Sequence, residues 1–294
     1  MIPQIRSRVL WIVMSGLVLL LASVHLMIGG LDQHEEKSQR LRFLPDGHFL
    51  RTASLGYREL TADVLWLQAI QVMGERKVSP EAGRWIYRLL DVVTTIDPKF
   101  TWAYEAGGIA LCTLVVLPEE SNRLLEKGML HNPEEWKFPF LLSINYAFEL
   151  GEDAKAAEAM ALAAQLPGAP SNLGRLAANF FVSAKAPQQA IDLLSDLYEK
   201  TSDPGTKSLL GERLKRVAVE RDLQLIEGSI ARYRQSHGGL PSRLEDLTTS
   251  GILEKLPIEP YGGRYEYDPH SGTVRSSEIS ERMTLSMKRR RDSL

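Results

Sequence analysis

Proline recurs through the middle of this chain at nearly equal steps: Pro98, Pro133, Pro170 and Pro204, with Pro167 as an alternative third mark. The intervals are 35, 37 and 34 residues. Proline lacks a backbone N–H and biases the residue before it out of the helical region, so each mark ends a helix or opens one. A period of this length is the signature of stacked helical hairpins, in which each unit packs on its neighbours. Such a chain works by presenting a surface. Recognition is therefore the first expectation, and reactive chemistry has to argue against it.

The chain has 294 residues, 44% of them apolar and 24% charged, with a net charge of −2. That length supports a sizeable core and about two domains. The small net charge supplies no global field for nucleic acid. Cys112 is the sole cysteine, which excludes an internal disulfide and leaves the redox compartment open.

Residues Val9 to Gly30, VLWIVMSGLVLLLASVHLMIGG, carry no formal charge apart from the titratable His25. About 20 apolar residues cross a bilayer core as a helix. The run exceeds the ~7–15-residue core of a secretory signal and is followed by no convincing small-x-small cleavage site. The reading is an uncleaved single-pass anchor, residues 9–29 lying in the lipid; a cleaved signal peptide is the competing one. Arg6 and Arg8 precede the run, and Lys37, Arg40 and Arg42 follow it. The positive-inside rule is nearly silent on that count. A short cytoplasmic tail with the large domain in the periplasm is the favoured orientation.

After a connector (31–55), helical texture runs from residue 56 to about 236. In GYRELTADVLWLQAIQVMG, Leu60, Val64, Leu67 and Ile70 fall at helical spacing. Residues 77–83 form a turn, and a partner helix is expected over 84–96. From Pro98 onward the residues resemble tetratricopeptide repeats. Tyr104, Gly108 and Leu111 fall at that family's Trp, Gly and Tyr positions, Tyr146 near its Tyr position, and Ala156 and Ala163 at its two small positions. Ala190, Leu194 and Leu197 belong to the last unit. The resemblance covers residues 56–204 and implies an α-solenoid. Gly107-Gly108 and Ser143 depart from the pattern and put the hairpin angles in question.

Residues 213–236 read as one long helix, and the texture then changes. Gly238-Gly239-Leu240-Pro241 breaks the helix, and a short helical turn follows. LPIEPYGGRYEYDPHSGTVRSS reads as a hairpin in which Tyr265 and Tyr267 alternate with Glu266. The order Tyr233, Gly-Gly-Leu-Pro, Leu244 with Leu247, Leu256-Pro257, Glu259-Pro260-Tyr261-Gly262 and Tyr265–Tyr267 resembles the globular part of the major pseudopilin of type II secretion. The resemblance implies a small α+β pilin-like module over 205–280. The prepilin leader and the carboxylates of that family's calcium loop are missing here. A fused docking or capping unit therefore fits better than a polymerising subunit. The basic tail 281–294, with Lys288–Arg291, reads as a solvated extension, with anionic lipid or an acidic partner as the competing contacts.

No histidine pair has helical zinc spacing, and no phosphate loop or nucleophile elbow occurs. No catalytic residue, cofactor, metal or small-molecule substrate is expected, and the chain reads as non-enzymatic. Cys112, inside IALCTLVVL, reads as a buried small residue. What the repeat resemblance implies is a binding surface on the inner face of each hairpin's first helix. Carried across, it selects Trp102 and Glu105, Lys137 and Phe140, and Phe181 for protein partners. The expected whole is mostly α: a transmembrane helix, a helical hairpin array and a pilin-like module. It would serve as an inner-membrane adaptor in type II secretion or pilus-like assembly. The alternative is a general envelope scaffold capped by its last module.

Overall fold

The computed structural model describes Met14, residues 44–74 and residues 78–283. The expected membrane anchor, most of the connector and the tail from residue 284 lie outside the described residues. Among the described residues no helix is long and apolar enough to cross a membrane.

A short helix, α1 (Gly47–Ala53), leads into four helical hairpins. These are α2 (Arg58–Met73) with α3 (Pro80–Ile96), and α4 (Thr101–Thr113) with α5 (Pro118–His131). They continue with α6 (Lys137–Ile144), extended by a π-helical segment at Asn145–Leu150, paired with α7 (Asp153–Gln165), and then α8 (Leu173–Ser183) with α9 (Pro187–Lys200). The 34-residue α10 (Pro204–His237) follows. The short α11 (Glu245–Thr249) and a hairpin of β1 (Tyr265–Asp268) with β2 (Thr273–Ser276) complete the chain. From α2 onward each helix packs on the next, α1 packs on α3, and α3 on α5, α4 on α6 and α8 on α10 also touch. Those second-neighbour contacts make two layers of a solenoid, and the described chain is mostly helical with one small antiparallel sheet.

The local chemistry of the hairpins is repetitive. Pro80, Pro118, Pro187 and Pro204 each open a helix, where a missing N–H costs nothing because that donor has no intrahelical partner. Ser79 and Asp203 cap two of them by accepting from the amides of Ala82 and Thr206. The expected start of α3 at residue 84 is corrected to Pro80, because this Ser-Pro cap begins the helix inside the stretch read as a turn. Successive rungs of the proline ladder are joined. The Asn132 amide nitrogen, one residue before Pro133, donates to the carbonyl of Pro98 at 2.9 Å. Lys99 Nζ donates to the carbonyl of His131 at 2.6 Å.

One apolar cluster fills the first half of the array, from Ala62, Trp66 and Ala69 on α2 through Leu89, Leu90, Tyr104 and Leu125 to Phe138 and Leu142 on α6. A second runs from Ala147 through Ala156, Ala163, Phe180 and Leu194 to Leu210 and Val217 on α10. Ala156 and Ala163, selected from the repeat resemblance, are fully buried, as small residues at close helix approaches should be. Gly107 and Gly108 have the same cause: a Cβ there would stand 2.5 Å from Leu90 Cδ1 or 2.8 Å from Leu125 Cδ2. Cys112 is buried.

The lower half of α10 carries a separate core. Val219, Leu223, Ile226 and Ile230 pack against Leu244, Leu247, Leu253 and Val274. Gly238, at φ +76°, ends the helix in the left-handed conformation that an L side chain resists. β1 pairs with β2 so that Tyr265 faces Ser276 and Tyr267 faces Val274. The tyrosine rings lie half-buried on this core. Their hydroxyls find partners: Tyr265 donates to Asp222 Oδ2 at 3.0 Å, and Tyr267 donates to the carbonyl of Pro241 at 2.9 Å. Glu259 is buried and fully used, accepting from Ser276 Oγ at 3.0 Å and from the amides of Tyr261 and Gly263 at 2.7 and 3.0 Å. It ties the LPIEPYGG loop to β2.

Candidate protein-binding site

The first helices of three hairpins, α4, α6 and α8, carry the residues expected to meet a partner. On α4, Thr101–Thr113 places Trp102 and Glu105 three residues apart, on one face. On α6, Lys137 and Phe140 have the same spacing. Because α4 and α6 pack together, the two faces adjoin, and Lys137 Nζ reaches Glu105 Oε2 at 2.8 Å. The bond to Glu105 raises the Lys137 ammonium above its ordinary pKa, against the opposing effect of desolvation. Both side chains keep some exposure, so the pair is worth at most about 1 kcal/mol to the fold. Its use is positional: it fixes a neutralised polar bridge between two hairpins.

Trp102 stands beside this bridge with 56% of its surface exposed. An exposed indole is costly to leave in water and is the kind of anchor that dominates interface energies. Phe140 is only half-buried; its ring lies edge-on to Trp136 at 5.9 Å and rests against the second apolar cluster. Phe181 is different. It is 6% exposed and packs within the core that α7, α8 and α9 share. Its ring is one lining element of an open hollow of about 430 Å³ formed with Ala161, Gln165, Gln189 and Leu193. A ring already enclosed by three helices contributes to packing, so Phe181 is corrected from partner contact to core.

The largest apolar exposure lies on α2. Leu60, Val64, Leu67 and Ile70 are 60%, 50%, 58% and 41% exposed. They sit at helical spacing, but the stripe faces outward. The packed face of α2 is Ala62, Trp66 and Ala69. Physically, the helix is apolar on both sides, so one face must lie against α3 and the other is left over. Alanines allow the closer approach, which decides which face goes in. Leu55 and Tyr57, just before α2, are more exposed still, at 87% and 72%. Contiguous apolar patches larger than a few hundred Å² mark interaction sites on soluble surfaces. A signal for this face was present in the sequence, in the lack of any charged stripe opposite Trp66.

No group of three or more His, Cys, Asp or Glu side chains converges as a metal site among the described residues. No protein-family model matches the chain, and no curated protein does. Among solved structures, a thermophilic TPR protein of Thermus thermophilus aligns at 18% identity over 61% of this chain and 98% of that one, with a TM-score of 0.30. The hairpin array described above stands on its own helices, prolines and apolar clusters.

Proposed function

We propose that this chain is a non-enzymatic, membrane-tethered scaffold that binds a protein partner along the first helices of its array. The observation that carries this reading is the outward apolar face of α2, Leu60, Val64, Leu67 and Ile70, accompanied on α4 by the exposed Trp102. The Glu105–Lys137 bridge next to Trp102 would form part of the polar rim that such interfaces carry. Residues 9–29 would hold the scaffold in a bacterial inner membrane, with the array and the pilin-like module in the periplasm. The module's ordered turns and Tyr265–Tyr267 strand support a place in type II secretion or pilus-type assembly.

The test is site-specific photocrosslinking in native membranes from position 64, compared with position 102. One reproducible protein adduct at both sites, lost when Leu60 and Leu67 become serine, is the expected result. Adducts to lipid alone, or none, would refute a protein-binding face.

A second reading has its own observation. The helix α10 lies in the array core through Leu210 and Val217 and in the module core through Val219 and Leu223. That continuity suits a structural cap on a general envelope scaffold. Ile258, 79% exposed on the module, separates the two. Ile258→Glu should lose secretion or pilus components if the module docks, and change no partner if it only caps.

A further inference from the structure

Helices α8 and α10 face each other with positive charge on both sides. Arg175 and Asn179 lie four residues apart on α8, and Arg213 and Arg216 three apart on α10, so each pair shares one face. Arg213 crosses the gap, its Nη2 donating to Asn179 Oδ1. The Nε–H donors of Arg213 and Arg216 are both buried and have no hydrogen-bond acceptor among the described residues. Among the described residues, no carboxylate forms an ion pair with Arg175, Arg213 or Arg216. Burial, and then the neighbouring charges of Arg216 and Arg175, push the Arg213 guanidinium down to about 10.

This is an unfavourable arrangement for a fold to keep for its own sake. Buried donors are almost always satisfied, and a charged donor left without a partner is destabilising. Elsewhere on the same helix buried charge is paired: Asp222 holds Arg221 at 2.8 Å, and Glu220 accepts from Arg282 at 2.6 Å. The exception is local to the α8–α10 face.

We infer that Arg175, Arg213 and Arg216 form a carboxylate-binding site between α8 and α10 that takes an acidic segment of a polypeptide partner. The guanidinium fork matches a carboxylate in bidentate fashion, and rotation of either side chain toward a ligand would release its orphaned Nε–H. A long polyanion suits the place poorly. Glu212 precedes Arg213 on α10, Glu220 and Glu227 follow Arg216, and the chain's net charge is −2, so a continuous phosphate backbone would meet repulsion that one or two carboxylates escape. This site is separate from the apolar face of α2, and its failure would leave that reading intact.

The experiment is isothermal titration of the full chain in detergent micelles with a hexaglutamate peptide, with inorganic phosphate and hexalysine as parallel probes. Hexaglutamate is expected to bind saturably, more weakly as salt rises. Its affinity should fall at least tenfold in Arg213→Gln and in the exposed Arg175→Gln, while Arg243→Gln, on the module, leaves it unchanged. Arg213→Met gives a second readout. If the arginine is kept for a ligand, the free protein melts at the same temperature or higher once the unpaired charge is gone. Absence of hexaglutamate binding, equal binding by Arg175→Gln, or saturable binding of phosphate but not of hexaglutamate would each overturn the proposal. So would a clear loss of melting temperature in Arg213→Met, which would mark the arginine as structural.

Discussion

Replacing Asn145 by alanine should cost this protein about 3 kcal/mol. Asn145 opens the π-helical segment after α6 and is 4% exposed. Its Nδ2 donates to Ser121 Oγ and to Asn122 Oδ1, both at 2.9 Å, and Ser121 Oγ in turn donates to the carbonyl of Gly108 at 2.8 Å. The chain of bonds joins α4, α5 and α6 through a site where Ser121 is fully buried and Asn122 nearly so. Asn145→Ala removes two bonds, each worth about 1 kcal/mol net, and leaves Asn122 Oδ1 buried without a donor, which adds about 1 kcal/mol, the low end of that penalty. With a urea m-value of about 3 kcal/mol/M, the midpoint should fall by roughly 1 M. The assay is equilibrium urea unfolding of the full chain in mild detergent, followed by far-UV circular dichroism and by tryptophan fluorescence. Ser121→Ala is the partner measurement: the double variant should cost clearly less than the two single changes added, because they share one network. A midpoint shift under about 0.2 M for Asn145→Ala, or strict additivity in the cycle, would show that the network is ornamental and that apolar packing alone joins the hairpins.

Two further outcomes follow from titratable groups. Burial pushes the Glu220 carboxyl up, but the Arg282 guanidinium bonded to it, with Gln224 and the Met283 amide, leaves it below its ordinary value. A carboxyl depressed in the folded state stabilises above its unfolded pKa and loses that contribution as pH falls through the folded one. Melting temperature should therefore drop below about pH 4.5. Arg282→Gln should destabilise at pH 7 by about 1.5–3 kcal/mol, the scale of a hydrogen-bonded charge whose partner is partly exposed, and its loss should shrink in acid as Glu220 protonates; a penalty independent of pH would contradict this. Tyr104, fully buried, is pushed up to about 12 by burial, in spite of its bond to the carbonyl of Thr94. It should stay unionised at the ordinary phenol value near 10, and stability should fall from pH 10 upward as the unfolded state ionises first. Comparing the ultraviolet phenolate absorbance of wild type and Tyr104→Phe over pH 9–12 checks this: a missing signal already at pH 10 would refute it.

What was legible in the sequence depended on locality. Proline acts on its own residue and the one before it, so the ladder from Pro98 to Pro204 could be read without knowing any neighbour. The buried alanines were legible for a related reason: a small side chain at Ala156 or Ala163 fits only where helices come close. The misplaced site residue, Phe181, and the outward apolar stripe of α2 both concern which side of a helix turns inward. On α2, Leu60 and Trp66 are both apolar, and the packing of α3, which the sequence does not display, chose the Trp66 side. On α8, Phe180 and Phe181 are adjacent and both buried, because α7, α9 and α10 enclose that helix from more than one side. The orphaned arginines were invisible for the same reason. Arg213 and Arg216 read as ordinary surface residues until α10 is laid on α8.

That placement of α10 also decides how the array and the module can be separated. The helix has no break between Leu210 and Ile230, yet residues up to Val217 belong to one core and those from Val219 to another. At the boundary, Arg282 bonds both Glu220 and Glu227, and Met283 packs against the array's own apolar cluster. Removing residues 240–294 would therefore do two things at once. It would uncover the Val219–Leu223–Ile226–Ile230 face, creating a new apolar surface, and it would withdraw Met283 from the array. Loss of a partner after such a deletion could come from either cause, or be masked by adventitious association at the uncovered face. Single changes on the outer surface, at Val64, Trp102, Arg175 and Ile258, leave the shared helix covered. Only changes of that kind can assign a partner to the array or to the module.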